Sequence, residues 1–556
     1  MKKTTFTILL IYLAVISVLE FAAFKLGGGW SVAGAWLWFA TGLAVLGFFV
    51  FEILRMFVRD IKEKHFAAAA LSVFLLSFFI FFIGNIGYSD INADSAQQLA
   101  SGLDSFEKAD LNYTGKAFLG YPARQYTLAA LPAKLFGRNI RTFHAGFGLL
   151  FVVALGYLMV ELRQWLKEKE MPEEYAFLAG FSFPVFPFIT EYYMNFEQAF
   201  TPVALAVILC ALYLRLRRKP DAVSFICLSW TGCFLSGAYT PALALLGLLV
   251  VFLVLYIIWY CFKGNSFLSE IPMLCMALIV NTCCFFLAGF SGRSDRVGEV
   301  REDSSVIKTA LSSWKEFFTD KNASFLGVFG VLIIIYMLLS LLLRFKIYDF
   351  VISLWVLAVI FMSDYMKGYT SYEKAWVLQR NMIIIPVLIT SVFITVMRLI
   401  KKHGLSINRV VMGAVLAVFI FLGMSNFAKP HKSFKYFNYV QPMKYLISDI
   451  YDSLDEYGLK ETDRFAIVLY TDNSLQSNIY DYAKFFFPNA VVYSERGNEY
   501  DDNIDISRDE GLTVFFFSED ERLSEILPDA APEKKKEHKN RRYDTKHTWF
   551  RKVLEP

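Results

Sequence analysis

The stretch SDINADSAQQLA follows eighteen almost unbroken apolar residues and sets two carboxylates, Asp90 and Asp94, where a hydrophobic helix would leave a bilayer. Charge at the edge of an apolar slab is expensive, so a carboxylate kept there is a functional candidate by default. Two chemistries suit it: general base toward a hydroxyl, or ligand to a divalent cation such as Mg2+ or Mn2+. The plainer reading makes Asp94 the N-cap of a helix starting at Ser95 and leaves Asp90 solvated at the end of a span. Further on, Glu191 and Glu197 bracket YYMNF in what reads as a tight turn between two spans. They are candidates to support an acceptor, and Glu191 could join Asp90 and Asp94 around a cation; the alternative is an aromatic interface belt with snorkelling acids. The segment 364–381, DYMKGYTSYEKAWVLQRN, carries Lys367 and Arg380. Both can pair with a phosphate at head-group depth, and Arg380 is preferred because a guanidinium grips a phosphate bidentately. Arg124 is a third candidate for the same role, and ordinary contact with lipid head groups is the simpler explanation of all three.

The elements that must position these groups are mostly apolar helices. Of 556 residues, 56% are hydrophobic and only 19% charged, against about 45–50% and about 25% in a soluble domain. The excess comes in blocks long enough to cross a hydrocarbon core of about 30 Å. They lie near 5–24, 33–54, 66–84, 143–162, 175–190, 199–214, 222–239, 241–262, 271–290, 325–343, 348–363, 382–400 and 407–425, about thirteen transmembrane helices in all. Alternate short loops collect Lys and Arg: Arg55 to Lys64, Arg163 to Lys169, RLRRK at 215–219, Arg344 with Lys346, and Arg398 to Arg409. The positive-inside rule then makes these loops and the N-terminus cytoplasmic, and an odd number of spans puts the C-terminus outside the cytosol. The N-terminal MKKTTFTILLIYLAVISVLEF reads as an uncleaved first span. A net charge of +4 gives no reason to expect nucleic-acid binding. The seven cysteines lie within apolar blocks and the six histidines form no ligand pair, so neither a disulfide framework nor a zinc site is expected.

The outward-facing loop 85–142 reads as two interfacial helices. In 95–108, Ala96, Leu99, Leu103 and Phe106 recur at helical spacing, which predicts an amphipathic helix lying on the membrane surface. In 121–136, Pro122 favours a helix start, Gly137 a stop, and Pro132 a kink or early end. A mobile middle is expected around Asn112 to Gly115. The other outer loops are 291–324, a charged and mixed segment, and 364–381. From about 426 to 556 the hydropathy drops. Runs such as RFAIVLYT, NAVVYS and LTVFFFS alternate with helical stretches, which predicts a small extracytoplasmic α/β domain with a mostly parallel sheet. Its basic tail, PEKKKEHKNRRYDTKHTWFRK, reads as solvated chain, and without GxGxxG no nucleotide site is expected.

The order of these features resembles the GT-C superfamily of membrane glycosyltransferases, most of all the protein O-mannosyltransferase and aminoarabinose-transferase type. The resemblance rests on SDINADSAQQLA after a span, then GYPARQYTLAALPAKLFG, then RNIRTFHAGFGLLFVVALGYLMV, and covers roughly 66–165. The acidic pair common in that family is here Asp94-Ser95, and its double proline is Tyr121-Pro122. The resemblance implies a polyprenyl-phosphate sugar donor, an acceptor hydroxyl on a glycan, lipid or protein, and action on the outer membrane face. It implies Asp94 or Asp90 as base and Arg380, Lys367 or Arg124 on the donor phosphate. Members with and without a metal ion are known, and the missing second carboxylate favours the metal-free route. The other readings are a carrier for lipid-linked glycans and a non-catalytic assembly protein.

Overall fold

The apolar blocks that fall among the described residues fold as helices. The structure, a computed structural model, describes residues 28–83, 93–109, 124–195, 200–238, 241–263, 347–365, 381–428, 441–470, 475–493, 511–519, 533–534, 537–540 and 545–556, with isolated positions near 7–18 and 308–338. In chain order the helices are α1 (Gly28–Lys62), α2 (Phe66–Ile83), α3 (Ala93–Glu107), α4 (Arg124–Phe136), α5 (Ile140–Glu168), α6 (Ala176–Ser182), α7 (Pro187–Asn195) and α8 (Thr201–Arg218). Then follow α9 (Ala222–Gly237), α10 (Pro241–Lys263), α11 (Ile347–Tyr365), α12 (Ile384–Lys402), α13 (Arg409–Ala428), α14 (Gln441–Glu456) and α15 (Leu475–Phe486). Among the described residues, five stretches are long and apolar enough to cross a membrane: Trp36–Lys62, Ile140–Glu168, Ala242–Trp259, Ile384–Lys402 and Arg409–Ala428. The protein is therefore a polytopic helical membrane protein. The blocks expected near 5–24, 271–290 and 325–343 lie wholly or largely outside the described residues.

Helix α5 is the hub. In its most apolar window 78% is buried, against 17% for α13, so α5 is the centre and α13 a lipid-facing wall. It packs on α1, α2, α4 and α8. Its 29 residues span about 43 Å at about 1.5 Å each, more than the hydrocarbon core, so both ends emerge among polar groups.

One end is fastened by buried charge. Arg163 of α5 donates two hydrogen bonds to Asp60 of α1, at 2.6 and 2.7 Å, with both side chains almost fully buried. Glu173 joins them, 3.2 Å from Arg163 and bonded to Arg59. Beside this pair, Glu161 of α5 accepts from Arg218 of α8 at 2.5 Å and lies 3.5 Å from Arg215. Arg215 in turn bonds Ser224 and Asp221, and Asp221 caps α9. Lys401 of α12 donates to the Lys169 carbonyl, 2.6 Å away. The sequence reading put Arg163 in a loop; it is an interior residue of α5, held there by Asp60. The ends of α1, α5, α8 and α12 thus meet at one face, called here the basic end.

The chain from 173 to 195 departs from the single span expected over 175–190. After α6 comes a short 3-10 turn, Phe183–Val185, and α7 restarts at Pro187. Pro187 has no N–H, and the break leaves the carbonyls of Pro184 and Val185 without helical donors. Asn426 of α13 supplies them through Nδ2, at 3.0 and 2.8 Å, as a lipid setting requires.

The C-terminal domain carries a five-stranded sheet in the order β2-β1-β3-β7-β4. β1 (Ala466–Tyr470) pairs in parallel with β2 (Val491–Tyr493) and β3 (Val514–Ser518), as alternating strands and helices predicted. β7 (Phe550–Leu554) is antiparallel to both β3 and β4 (Glu533–Lys534). β5 (His538–Asn540) and β6 (Thr545–His547) form a separate hairpin. The basic tail is therefore structured where described, contrary to the solvated chain expected. Trp549 is fully buried, and Arg551 is buried because Glu456, Glu533 and Ser453 receive its guanidinium. The domain has a core of its own on one sheet face only. Met443, Leu446 and Ile450 of α14 and Ile479 of α15 belong to the same continuous core as the membrane helices, and Ala466, Val468 and Phe516 form a second one.

Breaking a buried pair while leaving the other charge costs about 3–5 kcal/mol. Asp60→Asn should therefore lower thermal stability strongly, and Asp60→Leu with Arg163→Met should recover most of the loss. Thermal unfolding of the detergent-purified proteins measures both, and a double variant no better than the single one would contradict this account.

Burial holds the His547 imidazole below its usual range, reinforced by His538 and opposed by Glu519. The unfolded chain then binds the proton more readily, so stability is full above about pH 6.5 and falls as pH drops toward the folded-state value. His547→Gln should flatten the decline in melting temperature between about pH 6.5 and pH 5; an unchanged slope would show that another group sets it.

Candidate active site

Asp94 lies in the first turn of α3, inside the helix rather than ahead of it as a cap at Ser95 would require. It is half-buried, and the next six residues, Ser95 to Ala100, are buried. The apolar stripe read from the sequence is confirmed: Ala96, Leu99 and Leu103 are buried. The setting is different. Helix α3 does not lie on a membrane surface with its polar side in water; it is sandwiched between α4 and α15 of the C-terminal domain. That second cover buries Gln97, Gln98 and Ser105 as well.

Helix α4 begins at Arg124 and ends before Gly137, whose φ of +85° suits glycine and stops the helix as expected. Pro132 neither ends it early nor prevents the last turn from forming. Close backbone approach sets this corner. A Cβ on Gly146 of α5 would stand 2.4 Å from the Ala129 carbonyl of α4, and one on Gly102 of α3 would stand 2.9 Å from the Tyr126 carbonyl.

Arg138, just ahead of α5, ties the pieces together. It reaches Glu107 at the end of α3, at 3.2 Å, and the Lys484 carbonyl of α15, at 3.4 Å. Its own carbonyl accepts from the Tyr451 hydroxyl of α14 at 2.7 Å. Asn139 then caps α5 in a capping box with Thr142. Phe143 of α5 packs on Phe485 and Phe486, with ring centroids 5.4 and 6.0 Å apart. Trp36 of α1 donates to the Ala109 carbonyl just beyond α3. So α3, α4 and the C-terminal domain share the end of α5 opposite the basic end.

Glu191 was expected on a tight outer turn. It is instead inside α7, 1% exposed, beside Tyr193, whose hydroxyl donates to the Phe79 carbonyl at 2.8 Å. Tyr193 packs in the aromatic cluster formed by Phe79, Phe151, Phe200 and Phe427. Asp90, Glu197, Lys367 and Arg380 lie outside the described residues, as does the side chain of Arg124. Asn381, next after Arg380, is buried ahead of α12 at the domain end. Among the described residues no three His, Cys, Asp or Glu side chains gather as a cation site would need; Asp90, one of the three expected ligands, is not among them.

The sequence reading missed His144 of α5, Thr127 of α4 and Asp481 of α15, all nearly fully buried at or beside this corner. Their signal was present: a polar residue one turn into an apolar span, or on the inner face of an amphipathic helix, must have a partner.

Helices long and apolar enough to cross a membrane, two short helices at one end of the hub and an α/β domain clasped onto them make up the architecture around Asp94. No family model and no curated protein matches the sequence. Among solved structures the chain is similar to ArnT from Cupriavidus metallidurans bound to undecaprenyl phosphate, at 11% identity and a TM-score of 0.49, covering 88% of this chain and 98% of that one. The apo state of the same protein matches at the same identity and score, covering 87% of this chain and 98% of that one.

Overpacking a close helix contact costs about 1–3 kcal/mol. Gly146→Ala should destabilise by that order, because the carbonyl it meets is backbone. The melting temperature should drop, and unchanged stability would mean that α4 moves freely on α5.

Proposed function

We propose that the protein is a membrane glycosyltransferase of GT-C type. It transfers a sugar from a polyprenyl-phosphate donor to an acceptor hydroxyl on the side of the membrane that bears the C-terminal domain, the extracytoplasmic side by the distribution of Lys and Arg. The observation that carries this reading is the placement of Asp94. Its carboxylate is half-buried at the start of a helix immobilised on both flanks, at the end of the bundle where membrane helices and folded domain meet. A catalytic base needs a fixed position, because proton transfer works within about 2.6–3.2 Å.

In this mechanism the acceptor hydroxyl attacks the anomeric carbon. The new C–O bond forms as the bond from that carbon to the donor phosphate oxygen breaks, and Asp94 takes the hydroxyl proton, assisted or replaced by Asp90. The electron pair of the broken bond leaves on the polyprenyl phosphate. In-line attack of this kind inverts the anomeric configuration. Arg380 takes the donor phosphate, with Lys367 and Arg124 as further cationic contributors, and Glu191 and Glu197 support the acceptor. A divalent cation held by Asp90, Asp94 and Glu191 would stabilise the same leaving charge; no step here is routed through it.

Removing a general base typically costs about 10²–10⁴-fold in rate. Asp94→Asn should lower transfer of radiolabelled sugar from a polyprenyl-phosphate donor in membranes by at least about a hundredfold, with the melting temperature unchanged. Full turnover in that variant would remove Asp94 from the role.

A further inference from the structure

Arg138 stands where three parts of the molecule meet. It lies one residue before the N-cap of α5, so its backbone belongs to the hub. Its guanidinium reaches two elements that are distant from each other in the chain. It donates to Glu107, the last residue of α3, at 3.2 Å, and to the Lys484 carbonyl in the last turn of α15, at 3.4 Å. Its own carbonyl accepts from the Tyr451 hydroxyl of α14 at 2.7 Å. The planar fork of a guanidinium presents donors in two directions from one position, which suits a bridge of this kind.

Glu107 has no local reason to be acidic. A carboxylate at the last residue of a helix works against the helix dipole, so it adds nothing to the stability of α3 by itself. What it supplies is an acceptor for Arg138. The inner side of α3 is fitted to the bundle by close contacts: Leu99 lies beside Gly146 of α5, Gly102 lies against the Tyr126 carbonyl of α4, and Ala109 just beyond the helix accepts from Trp36 of α1. The other flank is covered by α15. Arg138 bonds the end of α3 and the end of α15 at once, and so draws that cover down onto the helix.

Asp94 stands near the opposite end of α3. From Glu107 to Asp94 is about 20 Å of helix rise. Over that lever arm a tilt of about 3° at the Glu107 end moves the carboxylate by about 1 Å. A displacement of that size can cost about a hundredfold in rate. The pair itself matters little to folding, because Glu107 is 56% exposed and an ion pair open to solvent contributes little stability. Its leverage on alignment therefore exceeds its share in holding the fold together.

We infer that Arg138 is a positioning residue for the proposed transfer. By bonding α3 to α15 at the head of α5 it fixes the tilt of α3, and with it the place of the Asp94 carboxylate. This inference rests on the reading of Asp94 as the base.

The test compares Arg138→Gln, Arg138→Lys, Asp94→Asn and the double variant Asp94→Asn with Arg138→Gln. Each full chain is assayed for transfer of radiolabelled sugar in membranes that hold the cell's own polyprenyl-phosphate donors. Arg138→Gln should lower the rate roughly tenfold with an unchanged melting temperature, and Arg138→Lys, which keeps the charge without the fork, should recover part of it. Added to Asp94→Asn, the same substitution should lower the rate no further, because residues that act as a unit are not additive. Amide exchange in α3 should rise in Arg138→Gln while α5 keeps its protection. If Arg138→Gln does not fold, Glu107→Gln at its more exposed position should give part of the same loss, again absent beside Asp94→Asn. A full rate in Arg138→Gln or Glu107→Gln, with Asp94→Asn slow, overturns the inference and leaves the transferase reading standing. A loss that persists beside Asp94→Asn shows that Arg138 acts on something other than the base and overturns it too, as does unchanged exchange in α3. Full turnover in Asp94→Asn removes the base itself, and the role of Arg138 goes with it.

Discussion

A helix longer than the membrane is thick must satisfy charge and backbone at both of its ends, and α5 meets that demand in two different ways. At the basic end the solution is ionic, with Arg163 locked on Asp60 and Glu161 on Arg218. At the domain end it is a cap and a clasp: Asn139 closes the first turn, and Arg138 draws in α3, α14 and α15. Because one rigid rod carries both, the two ends keep a fixed relation. Nothing comparable holds α13, which leans through Gly423 and Asn426 on the turn Phe183–Val185 between α6 and α7 and turns most of its surface to lipid.

The domain-end corner shows how a loop becomes a scaffold. Two short helices between spans would be mobile if they only floated on a lipid surface. Here glycines at 102 and 146 let backbones approach within contact of each other, and α15 covers the remaining face of α3. The price is polar burial, because Gln97, Gln98, His144 and Asp481 leave water together. Packing on both flanks restricts the motion of α3. Restricted motion is what the role proposed for Asp94 would need, since an error of about 1 Å in placement can cost about a hundredfold in rate.

How much of this the sequence disclosed follows from what each signal measures. Hydropathy reports transfer to lipid, and it located α1, α2, α5 and α8 to α13. Period-3.6 patterning found the buried stripe of α3, and Gly137 marked the end of α4. Neither can report what covers a polar face, so the burial of α3 beneath α15 was not legible, nor was the sharing of a core between domain and bundle. Strand patterning found β1, β2 and β3 and lost β7. In TWFRKVLE the charged residues Arg551 and Lys552 mask a central strand, and only the distant acids Glu456 and Glu533 make it tenable. The site reading fared in the same way. Asp94 was singled out because its segment follows an apolar block, while Glu191 was placed at a surface because its short segment looks like a turn. Pro187 restarts a helix there instead, and hydropathy does not report what packs around it.

The pairing of charges also bears on orientation. Counting Lys and Arg in alternate loops treats every cation alike, yet Arg163, Arg215 and Arg218 are internal and would be matched to their acids in either orientation. Those residues bind helices together; they are weak witnesses to topology. What remains is the exposed set at the same end, among them Arg55, Lys167, Lys219 and Lys401, whose side chains are 71%, 59%, 64% and 45% exposed. They flank four different spans and still fall on one face, where a polar head-group layer would meet them. The rule counts basic residues near span ends and gives acids little weight, so the proposed orientation rests on the exposed set alone. In that proposal the clasped domain, and the carboxylate of α3 beneath it, lie on the side away from the cytosol.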